Sequence, residues 1–198
     1  MDKRRWIQIW IKAVYAGFMI GIGGVVYLSV ENKVIGSLLF SFGLLTIVTQ
    51  GFFLYTGKIG FVEKWKELLD MVVIVVGNFI GTMITAWICN LAEVRISSVE
   101  LVEKKLSRSS FQIFLLSILC GVMMYLAIDN FNKSKNIVFI IAPVMIFILS
   151  GFEHSIANMF YFHLAGCYHW KGFYYLFIMI VGNGVGAKIF SLKQRMKC

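Results

Sequence analysis

Acid and proline are scarce in this 198-residue sequence. It has 10 Asp and Glu against 19 Lys and Arg, and a single proline, Pro143. Charged residues make up 15% of the chain and hydrophobic residues 59%, whereas a soluble domain sits near 25% and 45–50%. So little charge excludes an ordinary solvated surface. The four cysteines, Cys89, Cys120, Cys167 and Cys198, form no CxxC pair, and at least two fall inside apolar runs. That argues against a disulfide framework or a zinc site and for small packing residues. No phosphate loop, catalytic triad or metal-ligand spacing is present, so no enzyme activity, cofactor or metal is expected. The N-terminal Lys3, Arg4 and Arg5 resemble a leader. The long apolar run behind them has no small-residue cleavage site, so it reads as a first membrane span.

What is abundant is apolar length. With roughly 20 apolar residues needed per membrane crossing, the chain divides into six spans. They run from about Ile7 to Val30, from Val34 towards Glu63, and from Met71 to Ala92, then from Phe111 to Ile128, Ile137 to Ala165, and Phe173 to Phe190. A polar helix of mixed charge is predicted between the third and fourth, from Glu93 to Arg108. The 18 glycines suit helices that approach closely in lipid. The fold class is therefore all-α integral membrane, a single transmembrane domain over residues 1–198. The formal charge of +9 raises nucleic-acid binding as a reading, but the cations lie between apolar runs and at the ends. The positive-inside rule explains them, and no nucleic-acid partner is expected. With the N-terminus inside, 13 of the 19 Lys and Arg fall on that side. Both termini are predicted to be cytoplasmic, with the protein in the cell (plasma or inner) membrane.

The third and sixth spans share a pattern. Gly77-Asn78-Phe79-Ile80-Gly81 through Ile84 and Gly182-Asn183-Gly184-Val185-Gly186 through Ile189 both fit G-N-x-x-G-x-x-I. A three-span unit used twice must insert in opposite directions, which predicts a 3+3 inverted repeat over about 7–92 and 111–190. The middle span of each unit is interrupted. Span two breaks between Gln50-Gly51 and Thr56-Gly57, and span five at Ser150-Gly151-Phe152-Glu153-His154. Irregular backbone at membrane depth is tolerated only where protein buries it or it lines a cavity, so paired breaks point to a permeation or binding site.

Glu153 and His154 are the ionisable residues at the second break. Such residues usually face the protein interior. Glu153 suits the positive end of the following half-helix and is read as structural, together with Gly151. His154 is the candidate for pore chemistry. Asn158 lies four residues on and shares its helix face. Thr56 is placed to meet them from the first break. A bland alternative is a polar pair that fixes helix packing. His163 and His169 read as ordinary interfacial residues.

The run Gly151-Phe152-Glu153-His154-Ser155-Ile156-Ala157-Asn158-Met159-Phe160 resembles the signature of formate/nitrite transporters. Ala142-Pro143-Val144-Met145, the Gly51–Gly57 stretch, Gly17 to Gly24, Leu119-Cys120 and both Gly-Asn copies are similar to that family too. The resemblance implies a homopentamer of aquaporin-like protomers, each with its own pore. It also implies a small monovalent weak-acid anion as substrate: formate, nitrite, hydrosulfide, acetate or lactate. By the same resemblance His154 is the central pore histidine, Phe40, Leu44 and Phe147 form the apolar constrictions, and Lys105 is the outer-vestibule lysine, with Lys104 one residue away. Proton uptake by the anion near Lys105 would let a neutral acid pass the constrictions. Gly121 departs from the family, standing where many members carry Asn. A non-transporting membrane scaffold or inactive homologue is the alternative reading, and an enzyme built on Glu153 and His154 a more distant one.

Overall fold

The computed structural model describes residues 3–195, with side chains described through residue 192. Among these, regular structure is helical. The order is α1 (Lys3–Ser29), α2 (Lys33–Thr49), α3 (Tyr55–Lys58) with a 3-10 turn at Ile59–Phe61, and α4 (Trp65–Leu91). Then come α5 (Val99–Leu106), α6 (Ser110–Ser134), α7 (Val138–Leu149), α8 (Ser155–Leu164) and α9 (Trp170–Arg195). Four of them, α1, α4, α6 and α9, are long and apolar enough to cross a membrane. The shorter α2 and α7 are each followed, across a break, by a short helix. Cys89 and Cys120 are buried and Cys167 half-buried, all as free thiols. Cys198 and the side chains of the basic tail (Lys193, Arg195, Lys197) lie outside the described residues.

Several boundaries differ from the sequence-based expectation, each for a polar reason. The helix expected over Glu93–Arg108 is confined to Val99–Leu106, because Glu93 adopts a left-handed conformation (φ 50°) and ends α4 there. Helix α4 begins at Trp65 rather than Met71. Glu67 accepts the backbone N–H groups of Glu63 (2.7 Å) and Lys64 (3.3 Å), so a charged segment becomes a capped helix start. Helix α6 runs past Ile128 to Ser134, carried by an ion pair between Asp129 and Lys133 four residues apart (2.6 Å).

Helix α1 packs on α4, and α6 on α9. Small residues make both contacts close. A side-chain carbon at Gly81 would lie 2.1 Å from the Val14 carbonyl oxygen, and one at Gly186 would lie 2.0 Å from that of Ile118. Neither helix pair could hold its spacing with an alanine there.

The two breaks are built alike. Helices α2 and α7 both end on a glycine in left-handed conformation, Gly51 (φ 66°) and Gly151 (φ 68°). The next amide bonds back five residues, Phe52 to Ile47 and Phe152 to Phe147, each at 2.9 Å. This is the Schellman ending, which glycine enters without steric penalty. Beyond it, Asn78 accepts the N–H of Tyr55 (2.9 Å) and donates to the carbonyls of Ala13 (2.8 Å) and Phe53 (2.9 Å). Asn183 accepts the N–H of Ser155 (2.8 Å) and donates to the carbonyls of Ser117 and Glu153 (both 2.8 Å). Each break thus gives one amide and one carbonyl to a buried asparagine on the facing long helix, which helps meet the requirement for irregular backbone away from water.

Candidate functional site

The breaks bring Thr56 and His154 together. Thr56 lies in the single turn of α3 and is 1% exposed; His154 is the N-cap of α8 and 2% exposed. Thr56 Oγ1 and His154 Nε2 are 2.9 Å apart. The other ring nitrogen, Nδ1, accepts the backbone N–H of Ala157 at 3.1 Å. A nitrogen that accepts cannot carry a proton, so this geometry selects the neutral ring with hydrogen on Nε2, donated to Thr56. Protonating Nδ1 would set it against Ala157 N–H and remove the α8 cap, a bond worth about 0.5–2 kcal/mol.

Aromatic and aliphatic side chains enclose this pair. The Phe147 ring stacks on the His154 ring with centroids 5.3 Å apart, and Phe40 meets Phe147 edge-on at 6.3 Å. Phe40, Leu44 and Phe147 are all buried. On one side lies a cavity of about 70 Å³, bordered by Phe40, Phe147, His154, Asn158, Lys105 and Tyr161 among others. A second cavity, of about 200 Å³, is bordered by Leu44, Leu54, Lys58, Phe61 and Asn132 among others. The two share no lining residue, and each includes the left-handed glycine of one break, Gly151 in the smaller and Gly51 in the larger.

Glu153 immediately precedes the cap and is fully buried. Its carboxylate is turned away from the α8 amides and is held by three donors. Lys105 Nζ reaches Oε2 at 2.6 Å, Arg108 Nη1 reaches Oε1 at 2.7 Å, and Asn158 Nδ2 reaches Oε2 at 2.9 Å. The expected dipole contact is replaced by ion pairing, and His154 does the capping. Lys105 points inward because α5 buries Val102 and Lys105, three residues apart, while Lys104 stays exposed. Ser98 ties the start of α5 to α8 by donating to the Tyr161 carbonyl (2.7 Å), and Tyr175 holds the Arg108 carbonyl (2.6 Å). Asn158 Oδ1 is buried, borders the smaller cavity and has no partner among the described residues.

Residues 2–193 match the formate/nitrite transporter family model. The chain belongs to the formate/nitrite transporter family. It is 25% identical over 189 residues to the formate channel FocA of Haemophilus influenzae, covering 80% of this chain and 66% of that protein. It is 26% identical over 186 residues to the formate channel FocB of Escherichia coli, covering 79% and 66%. The chain thus spans just under two thirds of the length of these curated relatives. Among solved structures, a pentameric formate channel with formate bound superposes with a TM-score of 0.86 at 24% identity, covering 99% of this chain and 98% of that one. An FNT family ion channel superposes with 0.88 at 20% identity, covering 97% and 90%. The fold is that of these channels.

Three features of this family member escape a reading by residue type. Arg108 counts in the sequence only as a cation beside a span, yet it holds Glu153. Asn78 and Asn183 stand out as a repeated pattern without any sign that they anchor the breaks. His163 is buried rather than interfacial, sharing a hydrogen bond with the Tyr168 hydroxyl (3.2 Å) and meeting the Phe79 ring edge-on. The Gly121 departure has a packing reason: a side-chain carbon there would lie 2.2 Å from the Asn183 carbonyl oxygen.

Proposed function

We propose that the chain is a membrane channel for small monovalent anions of weak acids, formate, nitrite or hydrosulfide among them, and that passage is coupled to proton uptake by the anion. The observation that carries this reading is the buried Thr56–His154 pair, with Phe147 stacked on the His154 ring, Phe40 edge-on to Phe147, one cavity bordered by His154 and another by buried Leu44. A bare anion crosses such an apolar constriction only at a cost of many kcal/mol, whereas a neutral acid crosses far more easily. Lys105, with Arg108 beside it, draws the anion to the smaller cavity, which faces outside in the orientation with both termini in the cytoplasm. There the anion takes a proton from water. The neutral acid then slips past Phe40 and Phe147, meets the polar groups of His154, Thr56 and Asn158, and leaves past Leu44. Asn158 Oδ1 is an open acceptor for the acid O–H. His154 stays neutral throughout and acts as a hydrogen-bonding waypoint, since charging it costs the α8 cap.

The matched asparagine anchors and left-handed glycines support a 3+3 inverted repeat over six spans, with α2–α3 and α7–α8 as the broken second and fifth. The repeats cover about 7–92 and 111–190. We place the protein in the plasma or inner membrane as a homopentamer, as in the pentameric formate channel it superposes on. Nothing in this reading calls for catalysis.

The test is flux into proteoliposomes containing the purified protein, offered formate, nitrite, hydrosulfide, acetate, lactate and chloride. Flux of one or more weak acids with little chloride is expected. His154→Phe should lower that flux and alter its pH dependence. If it transports like the parent, the central role of His154 is wrong. No flux of any weak acid through intact oligomers would instead favour a non-transporting scaffold.

A further inference from the structure

The hydrogen-bond frame of the two breaks matches them residue by residue, and the match exposes an asymmetry. Phe53 donates its N–H to the Lys12 carbonyl (3.2 Å) and gives its own carbonyl to Asn78 (2.9 Å). Glu153 donates its N–H to the Leu116 carbonyl (3.3 Å) and gives its own carbonyl to Asn183 (2.8 Å). Phe53 therefore stands in one break where Glu153 stands in the other. Both positions attract two cations. Around Glu153 they are Lys105 and Arg108, and the carboxylate neutralises one of the two charges. Around Phe53 they are Lys12, with Nζ 5.1 Å from the ring centroid, and Lys58, at 4.5 Å.

A ring face attracts ammonium groups but carries no net charge to cancel them. Among the described residues neither Lys12 nor Lys58 forms a salt bridge. The nearby acids are engaged elsewhere: Asp70 is paired with Arg5, and Glu67 accepts two backbone amides at the start of α4. These groups, with Gln8, border a cavity of about 450 Å³ between the first turns of α1 and α4 and the first break. Its five charged side chains are Arg5, Lys12, Lys58, Glu67 and Asp70, so the cations are in excess. Lys58 also borders the 200 Å³ cavity that Leu44 lines, which joins this region to the proposed path.

We propose that Lys12 and Lys58 form a second anion site at the α3-side mouth, where a small carboxylate anion supplies the negative charge that Glu153 supplies at the other break. The inference rests on the channel reading for its purpose, though not for its chemistry. Lysine suits the task. Its ammonium is a compact charge with three rotatable donors, so it can gather a small hydrated anion and release it without the fixed bidentate geometry an arginine would impose. Anions reaching the channel from this side are concentrated beside Thr56, two residues before Lys58.

The test observes the lysines directly. The full chain, solubilised as its oligomer and reductively methylated with ¹³C so that the amines keep their charge, is titrated with sodium formate at constant ionic strength, using gluconate as the bulky control anion. Signals of Lys12 and Lys58 are assigned by Lys12→Arg and Lys58→Arg. Both should shift and saturate with formate beyond the gluconate control. Lys12→Gln should weaken formate binding at the Lys58 signal about tenfold, the scale of one charge-assisted hydrogen bond. Signals that follow gluconate equally, or a Lys58 titration unchanged by Lys12→Gln, would overturn the site. Flux of formate, nitrite, hydrosulfide, acetate and lactate is measured on the same protein. A saturating titration without wild-type flux leaves the site standing and removes the channel reading.

Discussion

Asn183 and Asn78 bear more of the structure than any pore residue, and replacing either by leucine should show it. Asn183 is fully buried and makes three hydrogen bonds at 2.8 Å, to the Ser155 amide and to the Glu153 and Ser117 carbonyls. Leucine differs from asparagine chiefly in polarity, so the loss is mainly of hydrogen bonds. Each backbone group left buried without a partner costs about 1–3 kcal/mol. The Ser117 carbonyl lies inside α6 and keeps its intrahelical amide, so two groups are orphaned, the Ser155 amide and the Glu153 carbonyl. They give about 2–6 kcal/mol, and the lower end applies if the break shifts to let water reach one of them. Asn78→Leu orphans an equivalent pair, the Tyr55 amide and the Phe53 carbonyl, while the Ala13 carbonyl keeps its amide within α1. It should cost the same within about 1 kcal/mol.

The assay is unfolding of the purified oligomer by SDS titration in mixed micelles, followed by far-UV circular dichroism. Val181→Ala, a change at a 40% exposed position on the same helix as Asn183, serves as the control and should stay within about 0.5 kcal/mol of the parent. Both leucine variants should also abolish weak-acid flux, because the frame that brings Thr56 to His154 is gone. A leucine variant as stable as the control would refute the reasoning. It would mean that the break carbonyls find other partners and that the asparagines are incidental.

Thr56→Val leaves His154 Nε2–H without its acceptor and should lower weak-acid flux about 5- to 100-fold, the range of one buried hydrogen bond, while Thr56→Ser should restore most of it in the same liposome assay. Gly121→Ala places a carbon against the Asn183 carbonyl oxygen and should destabilise the α6–α9 contact by about 1–3 kcal/mol, read by the same SDS titration. Arg108→Gln leaves Glu153 with Lys105 and Asn158 as its remaining charged and amide donors. The cluster around Glu153 then falls from a net positive charge to neutral, so the anion concentration for half-maximal uptake should rise several-fold and its salt dependence should weaken, with Arg108→Lys recovering both.

How much of this was legible in the sequence depended on whether a feature was local. The breaks were visible because Gly51 and Gly151 are flanked by residues that cannot continue an apolar helix, and the matched asparagines because Gly-Asn-x-x-Gly occurs twice. Helix ends were less legible. Glu67 and the Asp129–Lys133 pair extend α4 and α6 into charged sequence, where composition suggests loop. The partners of the buried charge were not legible at all. Arg108 lies 45 residues before Glu153, and only the docking of α5 and α8 makes them neighbours. The same limit hid the cation pair at the first break, since Lys12 and Lys58 sit on different elements and meet only through Phe53. Residue type names a candidate such as His154, but protonation state and charge balance belong to the assembled frame. His154 shows this directly. Histidine in a pore suggests a proton carrier, yet Nδ1 is committed to the Ala157 amide and Nε2 to Thr56. A proton added to that ring must break the cap of α8, so in the proposed mechanism the proton that neutralises the anion comes from water beside the cations that gather it.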